Sequence, residues 1–461
     1  MRIEEKIKEL KGSFFATDGP VLISRAPGRL DLMGGNDDYT GGLVFESTIR
    51  ESTYAAAQIR PDGWVVLKND DVSKAGWQGD IRIELDGLRD EETLKNWING
   101  SPSRRWTAYV LGNLHYLLRK YPLQVGTGVN LYMESTIPFN RGVSSSAAIE
   151  VAVMKASAAA YGIVLQGVEL ALACQWVENT IAGSACGIMD QIAVVSGRQD
   201  QIMPLVCQPC NPETLIRLPQ ELKIWGIDSG VSHQVAGIEY EAARAAAFMG
   251  YKIICDHEKI PVSLDTQTEI PRYTDPVYNG YLANLRVSIF KERFEHLLPE
   301  RSTRAQFLDL HKIHPDLFTP LKDGVIYNIR ANTRYAVEEN QRVQLFSELS
   351  RGAAAAPSQR AFMLMGELMY QSHYAYTECG LGAKATDFLV GLCRREGTGK
   401  GIYGAKITGG GAGGTVAILA DAGAGDTVRQ IFTEYAGEGL GSPYLFEGSS
   451  DGADSFGIVT V

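Results

Sequence analysis

The segment from Pro138 to Ala148 reads PFNRGVSSSAA, in which a glycine and three serines connect a strand-like stretch to a long run of small apolar residues. Upstream of it, Val129, Leu131 and Met133 alternate with polar positions, which is the two-residue period of a half-buried strand. Downstream, residues 146–161 (SAAIEVAVMKASAAAY) carry almost no charge, which predicts a helix buried on most sides. The glycine-serine loop is therefore expected at a helix N-terminus.

This loop has the chemistry of a phosphate-binding site. Backbone N–H groups at a helix N-terminus lack intrahelical partners, and the helix dipole adds roughly half a positive charge there, so phosphate binds without many Lys or Arg residues. A glycine permits close backbone approach, and serine hydroxyls can donate to phosphate or ligate Mg²⁺. Taken alone, the segment could also be a serine cap on an ordinary helix. The predicted nucleotide-binding residues of the loop are Asn140, Arg141, Gly142, Val143, Ser144, Ser145, Ser146 and Ala147.

Size and charge limit the classes to which the protein can belong. The 461 residues exceed the usual size of a single hydrophobic core, so two domains are expected. The formal net charge of −10, without a basic run, argues against a nucleic-acid partner. No stretch approaches the roughly 18 apolar residues of a membrane span, and the start, MRIEEKIKEL, lacks the apolar core of a signal peptide. Seven scattered cysteines indicate reduced thiols. We expect a cytoplasmic protein.

Two further glycine-rich segments accompany the loop. They are RAPGRLDLMGGNDDYTGG at residues 25–42 and KITGGGAGGTVAIL at residues 406–419. GGGAGG matches a dinucleotide-binding fingerprint, but that fingerprint has to open a helix, whereas here a strand-like segment follows. A flexible turn is the alternative for this segment. Walker A and protein-kinase motifs are absent.

In this order, the three segments resemble the signature set of the small-molecule kinases that include galactokinase, homoserine kinase and mevalonate kinase, the GHMP kinases. The resemblance implies an α+β fold of two domains with the active site in the cleft between them, and ATP and Mg²⁺ as cofactors. We expect an N-terminal domain over residues 1–220 and a C-terminal domain over residues 221–461. A helical insert is expected at about residues 256–314, where the patterns over residues 280–298 and 302–310 predict helices on the surface, and we hypothesise that it closes over the substrate.

Residues 166–179 predict an amphipathic helix, and residues 183–190 (GSACGIMD) predict the loop after it. The segment from Glu178 to Gln191, ENTIAGSACGIMDQ, closely resembles a galactokinase segment. The resemblance implies that Asp190 takes the proton from the anomeric hydroxyl of a sugar, and that Glu178 and Ser146 hold Mg²⁺. Arg29 matches the arginine that keeps this aspartate ionised and offsets charge on the transferred phosphoryl group. Taken singly, Asp190 could be a solvated loop carboxylate and Arg29 part of a surface salt bridge.

The same resemblance assigns the sugar contacts. Asp38 matches the sugar-binding aspartate, Tyr240 matches a sugar-contacting tyrosine, and the backbone N–H of Gly187 can meet a ring hydroxyl. Gly35 and Asn36 stand where galactokinases have a glutamate and a histidine near the exocyclic C6 hydroxyl. Together with the third motif, the predicted substrate-binding residues are Gly35, Asn36, Asp38, Gly187, Tyr240, Gly410 and Gly411.

Stretches such as IWGIDSGVSHQVAGIEYEAARAAAFMG, YNGYLANL and ECGLGAKATD extend a resemblance to the kinase domain of plant L-arabinokinases from Arg25 to the C-terminus. The plant enzymes carry a glycosyltransferase-like domain before the kinase, and its activity is not implied here. L-Arabinopyranose is D-galactopyranose without the hydroxymethyl group, so a site for it needs no polar contact at Gly35 and Asn36 and gains by filling that space. The predicted reaction converts Mg·ATP and L-arabinose into L-arabinose 1-phosphate and ADP.

Several points stay open at this stage. A galactokinase, or a sensor that binds ATP and sugar without catalysis, are the alternatives to an L-arabinokinase. Trp106 and Tyr109 resemble a pair of residues near the adenine but also fit as core aromatics. Arg141 replaces a glycine of galactokinases and could touch phosphate or face solvent. The expected partner is a small sugar, and a monomer is expected, with a dimer as the alternative.

Overall fold

The computed structural model describes residues 3–123, 126–231 and 236–461. Residues 232–235, within the arabinokinase-like stretch that begins at Ile224, therefore lie outside the described residues. No helix in the described ranges is both long and apolar enough to cross a bilayer.

The first half of the chain builds most of one large mixed sheet. Its long central strand pairs antiparallel with three other strands, β1, β5 and β6, and a parallel pairing joins β3 to β5. The predicted strand around Val129 is confirmed as β5. In chain order the strands are β1 (Leu22–Met33), β2 (Leu43–Arg60, the central strand), β3 (Trp64–Asn69), β4 (Asp80–Glu84), β5 (Gly128–Ser135), β6 (Gln201–Val206), β7 (Asn211–Pro212) and β8 (Ile216–Arg217).

Helices cover this sheet. The predicted buried helix is confirmed and packs across β1 and β2. Its alanines and valines fit against the sheet because small side chains allow close approach, and most of its residues are buried. The helices are α1 (Ile3–Leu10), α2 (Asp70–Lys74), α3 (Glu91–Asn99), α4 (Ala108–Lys120), α5 (Ser145–Ala160, the buried helix), α6 (Gly167–Val177) and α7 (Met189–Ser196).

The chain between α6 and α7 differs in detail from the expectation of a plain loop. After α6 it forms a π-helical turn over Glu178–Ala182, and only residues 183–188 lack helical structure. Asp190 therefore lies in the first turn of α7 and not on the loop. The apolar residues that follow it, Ile192 and Val195 among them, are buried in the core, and their burial favours a helix that already includes Asp190.

The second half of the chain builds an antiparallel sheet of β14, β15, β9 and β16, in that order within the described residues. Helices α12 and α13 pack on β14. The strands are β9 (Leu222–Asp228), β10 (Ser263–Asp265), β11 (Arg272–Thr274), β12 (Ser302–Thr303), β13 (Ile326–Tyr327), β14 (Ile402–Ile407), β15 (Thr415–Asp421), β16 (Tyr444–Glu447) and β17 (Val459–Thr460). The helices are α8 (Ala236–His257), α9 (Val287–Ile289), α10 (Arg304–His311), α11 (Ile329–Ala355), α12 (Gln359–Glu378), α13 (Lys384–Glu396), α14 (Gly425–Gly437) and α15 (Ala453–Phe456).

The end of the chain returns to the first sheet. β17 pairs antiparallel with β1, and α15 packs against α7 and β1. Residues 453–460 therefore belong to the layer built by the first half, although the expected division at residue 220 grouped them with the second. A division of the remaining chain near residue 220 stays a proposal.

The insert at residues 256–314 is less helical than expected. The predicted helix over residues 302–310 is present as α10, with a capping box between Thr303 and Gln306. The stretch 280–298 is broken into short 3₁₀, α and π turns. Phe290, Phe294 and Phe307 are fully buried against α8, so the insert shares a core with this helix and is not confined to the surface.

Candidate active site

The three glycine-rich motifs meet at Arg29, a residue of β1. Its backbone N–H donates to the Val143 carbonyl at 3.1 Å, and its Nη1 donates to the Gly142 carbonyl at 2.9 Å. From the third motif, a Cβ added to Gly409 would lie 2.8 Å from the Gly142 carbonyl oxygen and 3.3 Å from Arg29 Nη2. Glycine at this position lets the third motif approach the other two. Segments far apart in the chain thus form one site.

A cleft of about 820 Å³ opens beside this junction, and its lining residues come from both halves of the chain. This volume lies within the range of small-molecule binding sites. Asp38 and Gly187 line a neighbouring cavity of about 390 Å³. Of the predicted site residues, those that line the main cleft are Arg29, Trp106, Tyr109, Asn140, Gly142, Ser144, Ser145, Ser146, Glu178, Asp190, Tyr240 and Gly410.

The phosphate loop has a backbone shaped for an anion. Asn140, Gly142 and Ser144 adopt left-handed conformations, with φ values of 58°, 72° and 59°. Left-handed residues set among right-handed ones direct successive N–H groups into a concavity that binds anions. Ser144 is the N-cap of α5 and makes no side-chain capping bond, which leaves the first N–H groups of this helix available. The side chains of Val143 and Ala147 are buried, so these residues can offer only their backbone.

Arg29 and Asp190 form an ion pair at the mouth of this loop. Arg29 Nε and Nη2 lie 2.9 Å and 2.8 Å from Asp190 Oδ1, and the hydroxyl of Ser144 donates to Oδ2. Arg29 is 3% exposed, whereas Asp190 is 22% exposed and faces the cleft. Burial alone would lower the pKa of Arg29, but Asp190 and Glu46 raise it, so the guanidinium remains charged. The pair can present a carboxylate to a hydroxyl and a cation to a phosphoryl group.

Glu178 and Ser146 lie together near Asp190. Burial, with the nearby Asp190 charge, raises the pKa of Glu178 to about 7, and a hydrogen bond from the Ser146 hydroxyl opposes this shift. Gln191 Nε2 donates to Glu178 Oε2 at 2.6 Å. Across the described ranges, no group of three or more His, Cys, Asp or Glu side chains could hold a metal ion. One carboxylate and one hydroxyl nevertheless suit Mg²⁺, because this ion takes most of its other ligands from phosphates and water.

The metal assignment predicts the effect of Glu178→Gln. We expect the Mg²⁺ concentration for half-maximal activity to rise roughly tenfold or more, since a neutral amide is a weaker ligand. Wild-type Mg²⁺ affinity should also fall as the pH drops below about 7, where Glu178 becomes protonated, and the variant should lose this dependence. Mg²⁺ titrations of activity at pH 6 and pH 8 test both points.

Glu51→Gln is the matched control for this titration. Glu51 is partly buried and accepts a hydrogen bond from the Tyr444 hydroxyl at 3.1 Å, but it neither lines the cleft nor contributes to the pKa of Glu178. Its replacement should leave the Mg²⁺ dependence nearly unchanged. Equal Mg²⁺ dependence in wild type and Glu178→Gln would remove Glu178 from the metal site.

The predicted sugar contacts lie at the corner between the two cavities: Tyr240 and Gly410 line the main cleft, and Asp38 and Gly187 line the smaller cavity. Asp38 Oδ1 accepts the Tyr39 N–H at 2.8 Å, and a Cβ on Gly187 would lie 1.8 Å from Asp38 Oδ2, so this carboxylate packs directly on the Gly187 backbone. A Cβ on Gly410 would lie 3.5 Å from the ring of Tyr240. Short polar side chains and backbone groups in such a corner can read ring hydroxyls.

Gly35 and Asn36 lie deeper than the other predicted sugar contacts. Both are buried in the 3₁₀ turn Gly35–Asp37, and neither lines either of the two cavities. Gly411 packs against Leu381 and Tyr376 in the same region. Position 35 carries no polar side chain, but among the described residues no empty space lies beside it, because neighbouring side chains fill that space.

Arg244 is a buried cation that the sequence did not single out. It binds Asp316 through Nε at 2.8 Å and Nη2 at 2.9 Å, and its guanidinium lies 5.1 Å from the Tyr39 ring centroid. Burial and Asp190 raise the pKa of Asp38 to about 7, and Arg244 opposes this shift. The available signal was the position of Arg244 one helical turn after Tyr240 in GIEYEAAR. Its partner, Asp316, could not be found from spacing.

This arrangement predicts a pH effect on sugar binding. If the Asp38 carboxylate accepts a sugar hydroxyl, the KM for sugar should rise as the pH falls below about 7, since Asp38 then becomes protonated. The double variant Arg244→Gln/Asp316→Asn removes the cation without leaving a buried unpaired charge. The Asp38 pKa should then rise further, and the increase in KM should begin at a higher pH.

The control for this profile is Arg272→Gln, which changes another cation that lines the smaller cavity. Arg272 stacks on Tyr281 and does not contribute to the pKa of Asp38. Steady-state KM values from pH 5.5 to pH 8.5 give the comparison. An unchanged profile in the double variant would separate Arg244 from the sugar site.

Aromatic side chains also line the cleft. Trp106 is 7% exposed and donates from Nε1 to the Gln78 carbonyl at 3.0 Å, so only part of its ring reaches the cleft. Trp77 and Phe139 also line the cleft, each is 39% exposed, and their ring centroids are 6.0 Å apart. Exposed aromatic faces of this kind can stack on a nucleobase. Sequence reasoning missed both, because isolated aromatics in loops carry no periodic signal.

The side chain of Arg141 follows neither of the two expectations. Its Nη1 donates to a carboxylate oxygen of Asp228 and, at 3.0 Å, to the Ser442 carbonyl, and it does not line the cleft. Asp228 is fully buried, and burial raises its pKa to about 6 while Arg141 lowers it. A buried carboxylate requires a counter-charge, which explains why Arg141 points towards β9. Only its backbone is positioned with the phosphate loop.

Comparisons with known proteins agree with this geometry. The GHMP kinase N-terminal domain matches residues 108–198, the GHMP kinase C-terminal domain matches residues 353–437, and the galactokinase galactose-binding signature matches residues 12–59. An L-arabinokinase of Arabidopsis thaliana is 31% identical over 99% of this chain and 48% of its own length. A galactokinase of Chloroflexus aurantiacus is 30% identical over 87% of this chain and 84% of its own length. The chain thus spans about half of the first relative and most of the second.

Solved structures share the fold. Lactococcus lactis galactokinase complexed with galactose superposes with a TM-score of 0.74 at 22% identity, covering 97% of this chain and 98% of that chain. Methanococcus jannaschii mevalonate kinase gives a TM-score of 0.53 at 15% identity, covering 93% and 98%. The predicted two-domain α+β fold is confirmed. By its fold, its matched domains and its relatives, the chain belongs to the GHMP kinase family, in the branch of galactokinase- and L-arabinokinase-type sugar kinases.

Proposed function

We propose that the protein phosphorylates the anomeric hydroxyl of L-arabinose with ATP, giving L-arabinose 1-phosphate and ADP. The observation that carries this proposal is the Arg29–Asp190 ion pair, which lies beside the N-terminus of α5 and is open to the cleft on the carboxylate side. A carboxylate, a cation and a cradle for phosphate are the parts that direct phosphoryl transfer requires. The proposed nucleotide cradle is the loop from Asn140 to Ala147.

In the proposed reaction, Asp190 accepts the proton of the anomeric hydroxyl while the hydroxyl oxygen attacks the γ-phosphorus. The bond between this phosphorus and the β–γ bridging oxygen breaks, and ADP leaves with the electron pair. Arg29 has a fixed position, because it also donates to Gly142, and it stabilises negative charge as it develops. Mg²⁺, held by Ser146, Glu178 and the nucleotide, would neutralise charge on the phosphate oxygens when bound.

Two observations support L-arabinose as the sugar. The L-arabinokinase relative aligns over 99% of this chain, including the insert at residues 256–314. Position 35 holds a glycine, and neighbouring side chains fill the space around it. No polar side chain from this position can therefore hydrogen-bond an exocyclic hydroxymethyl group. A site that lacks this hydrogen bond gives no preference for the sugar that carries the hydroxyl.

Galactokinase activity is the second candidate. The match of the galactokinase galactose-binding signature to residues 12–59 favours it, and the galactokinase of Chloroflexus aurantiacus is nearly as similar over 84% of its own length. The two sugars differ only at the C5 substituent, so both share the anomeric hydroxyl on which Asp190 would act.

An ADP-release assay with a panel of sugars decides between these candidates. L-Arabinose, D-galactose, D-xylose and D-glucose, with mevalonate as a non-sugar acceptor, should be compared by kcat/KM at saturating Mg·ATP. We expect the highest value for L-arabinose. A higher value for D-galactose would assign galactokinase activity, and no ADP release with any acceptor would favour a non-catalytic sensor.

A further inference from the structure

Position 35 requires a glycine because a neighbouring side chain leaves no room for a Cβ, and not because of its backbone conformation. Its φ lies outside the left-handed region, so the conformation itself admits other residues. A Cβ at this position would lie 1.9 Å from Tyr376 Oη, 2.9 Å from Tyr376 Cζ and 2.7 Å from Asp31 Oδ2. Contacts this short do not occur in folded proteins, so any side chain at position 35 must displace the tyrosine.

Tyr376 is held firmly in that place. It belongs to α12 and is fully buried. Its hydroxyl donates to the Gly409 carbonyl at 2.8 Å, its ring packs edge-on against Tyr335 with centroids 5.4 Å apart, and Lys406 Nζ lies 5.2 Å from its ring centroid. A Cβ on Gly411 would lie 3.3 Å from its Cδ1. The tyrosine therefore fits between the first motif and the third; it lines neither cavity, but its hydroxyl holds the carbonyl of Gly409, the residue next to Gly410 of the main cleft.

The charges around Gly35 also oppose a carboxylate at this position. Asp31 is fully buried and already uses Lys406 as its partner, with Nζ at 2.6 Å from Oδ2. Glu339, also fully buried, accepts the Gly34 N–H at 3.1 Å. A further acid beside these two carboxylates would be buried without a cation of its own, which is strongly unfavourable.

We propose that Tyr376 determines the sugar specificity of this enzyme, because its hydroxyl takes the space that a side chain at position 35 would need and holds the Gly409 carbonyl beside the main cleft. This inference rests on the proposed sugar-kinase function and deepens it. The filled space restricts the site to aldopyranoses without a hydroxymethyl group at C5, which are pentopyranoses and, less well, 6-deoxyhexoses. Tyr376 and Gly35 then form a matched pair in which a change at one position requires a change at the other.

The first test is a stability cycle of Gly35→Ala, Tyr376→Phe and the double variant, measured by thermal unfolding. Gly35→Ala should lower the Tm by several degrees, because overpacked buried sites are destabilised. Tyr376→Phe removes the closest atom, so the double variant should recover a large part of that loss. Additive changes in Tm would show that the two positions are not coupled and would overturn the pairing.

The second test is specificity. Tyr376→Leu replaces the ring and its hydroxyl by a shorter, apolar side chain, and kcat/KM should be compared for L-arabinose, D-fucose and D-galactose, which carry hydrogen, methyl and hydroxymethyl at C5. We expect the ratio of D-galactose to L-arabinose to rise roughly tenfold or more, with D-fucose between them. Tyr335→Leu is the matched control, since Tyr335 packs against Tyr376 without contacting Gly35, and it should leave the ratio nearly unchanged.

The two tests distinguish a failure of this inference from a failure of the proposed substrate assignment. If the wild type prefers D-galactose, the L-arabinose assignment fails, while the Tm cycle still reports on the pairing of residues 35 and 376. If the wild type prefers L-arabinose but a folded Tyr376→Leu variant keeps the wild-type ratio, the assignment stands and the role of Tyr376 is overturned. Should Tyr376→Leu fail to fold, Tyr376→Phe provides the same comparison with a smaller expected change.

Discussion

Replacing Asp190 by Asn should reduce turnover by roughly 10³-fold or more while sugar affinity stays within a few fold of wild type, given the usual contribution of a general base. The amide is nearly isosteric, and its oxygen can still accept from Arg29, but it cannot take the proton of the anomeric hydroxyl. The loss should therefore fall on kcat. Asp190 is partly exposed at the cleft, and the buried Arg29 keeps Glu46 at 3.4 Å and the Gly142 carbonyl at 2.9 Å as partners.

Sugar binding by calorimetry and single-turnover ADP formation measure the two quantities separately. Asp62→Asn is a suitable control, because Asp62 is 40% exposed and pairs with Arg60 on the surface. Its replacement should change neither quantity. Turnover near the wild-type rate in Asp190→Asn would exclude Asp190 as the base and would point to another acceptor in the cleft.

Arg29→Lys should be the second most damaging substitution, with kcat lowered by roughly 10²- to 10³-fold, the usual cost of removing a transition-state donor. The guanidinium contacts Asp190, the Gly142 carbonyl and, at 3.4 Å, Glu46. A lysine keeps the charge but is a point donor that cannot hold all three groups in one geometry. We also expect a loss of stability of about 1–3 kcal/mol, because buried hydrogen-bonding groups would be left unsatisfied.

The matched control for this substitution is Arg60→Lys. Arg60 makes a similar contact with Asp62, but its side chain is 25% exposed, and exposed ion pairs contribute little to stability. Urea unfolding and steady-state kinetics on both variants give the comparison. A fully active Arg29→Lys enzyme with unchanged unfolding would show that the buried ion pair serves neither catalysis nor the fold.

The two substitutions together also test for a non-catalytic sensor. A kinase loses turnover in Asp190→Asn and keeps its affinity for sugar, so the sugar-binding and catalytic functions separate. In a sensor the wild type itself would bind sugar and ATP without releasing ADP, and Asp190→Asn would change nothing that can be measured. The Arg29 contacts to the phosphate loop would then affect only nucleotide affinity.

Local pattern was enough to predict the elements that carry the phosphate loop. The two-residue alternation before Pro138 and the apolar run after Ser145 gave β5 and α5, because each element buries a face that repeats along its own sequence. The helix α10 was predicted for the same reason. The stretch 280–298 was not, since its aromatic residues Phe290 and Phe294 are buried against α8 through short irregular turns and leave no regular period.

Motifs and their resemblance to a known family predicted which side chains would be needed in the site, but not how each of them is held. The partners of Arg141, Asp38 and Gly35 are Asp228, Arg244 and Tyr376, which lie 87, 206 and 341 positions away in the chain. None of these pairs leaves a local signal, because each partner lies on an element whose own periodicity is set by a different part of the core.

The sequence by itself therefore determined the family, the strand–loop–helix that can bind phosphate, and the residue types needed for phosphoryl transfer. Tertiary structure alone decided that Arg29 meets Asp190 beside α5, that Arg141 neutralises a buried carboxylate, and that Tyr376 fills the space beside Gly35. The physical reason is that burial forces charges to find counter-charges and side chains to fill voids wherever the fold brings them together. These contacts join residues that are far apart in the chain, so no local sequence pattern predicts them.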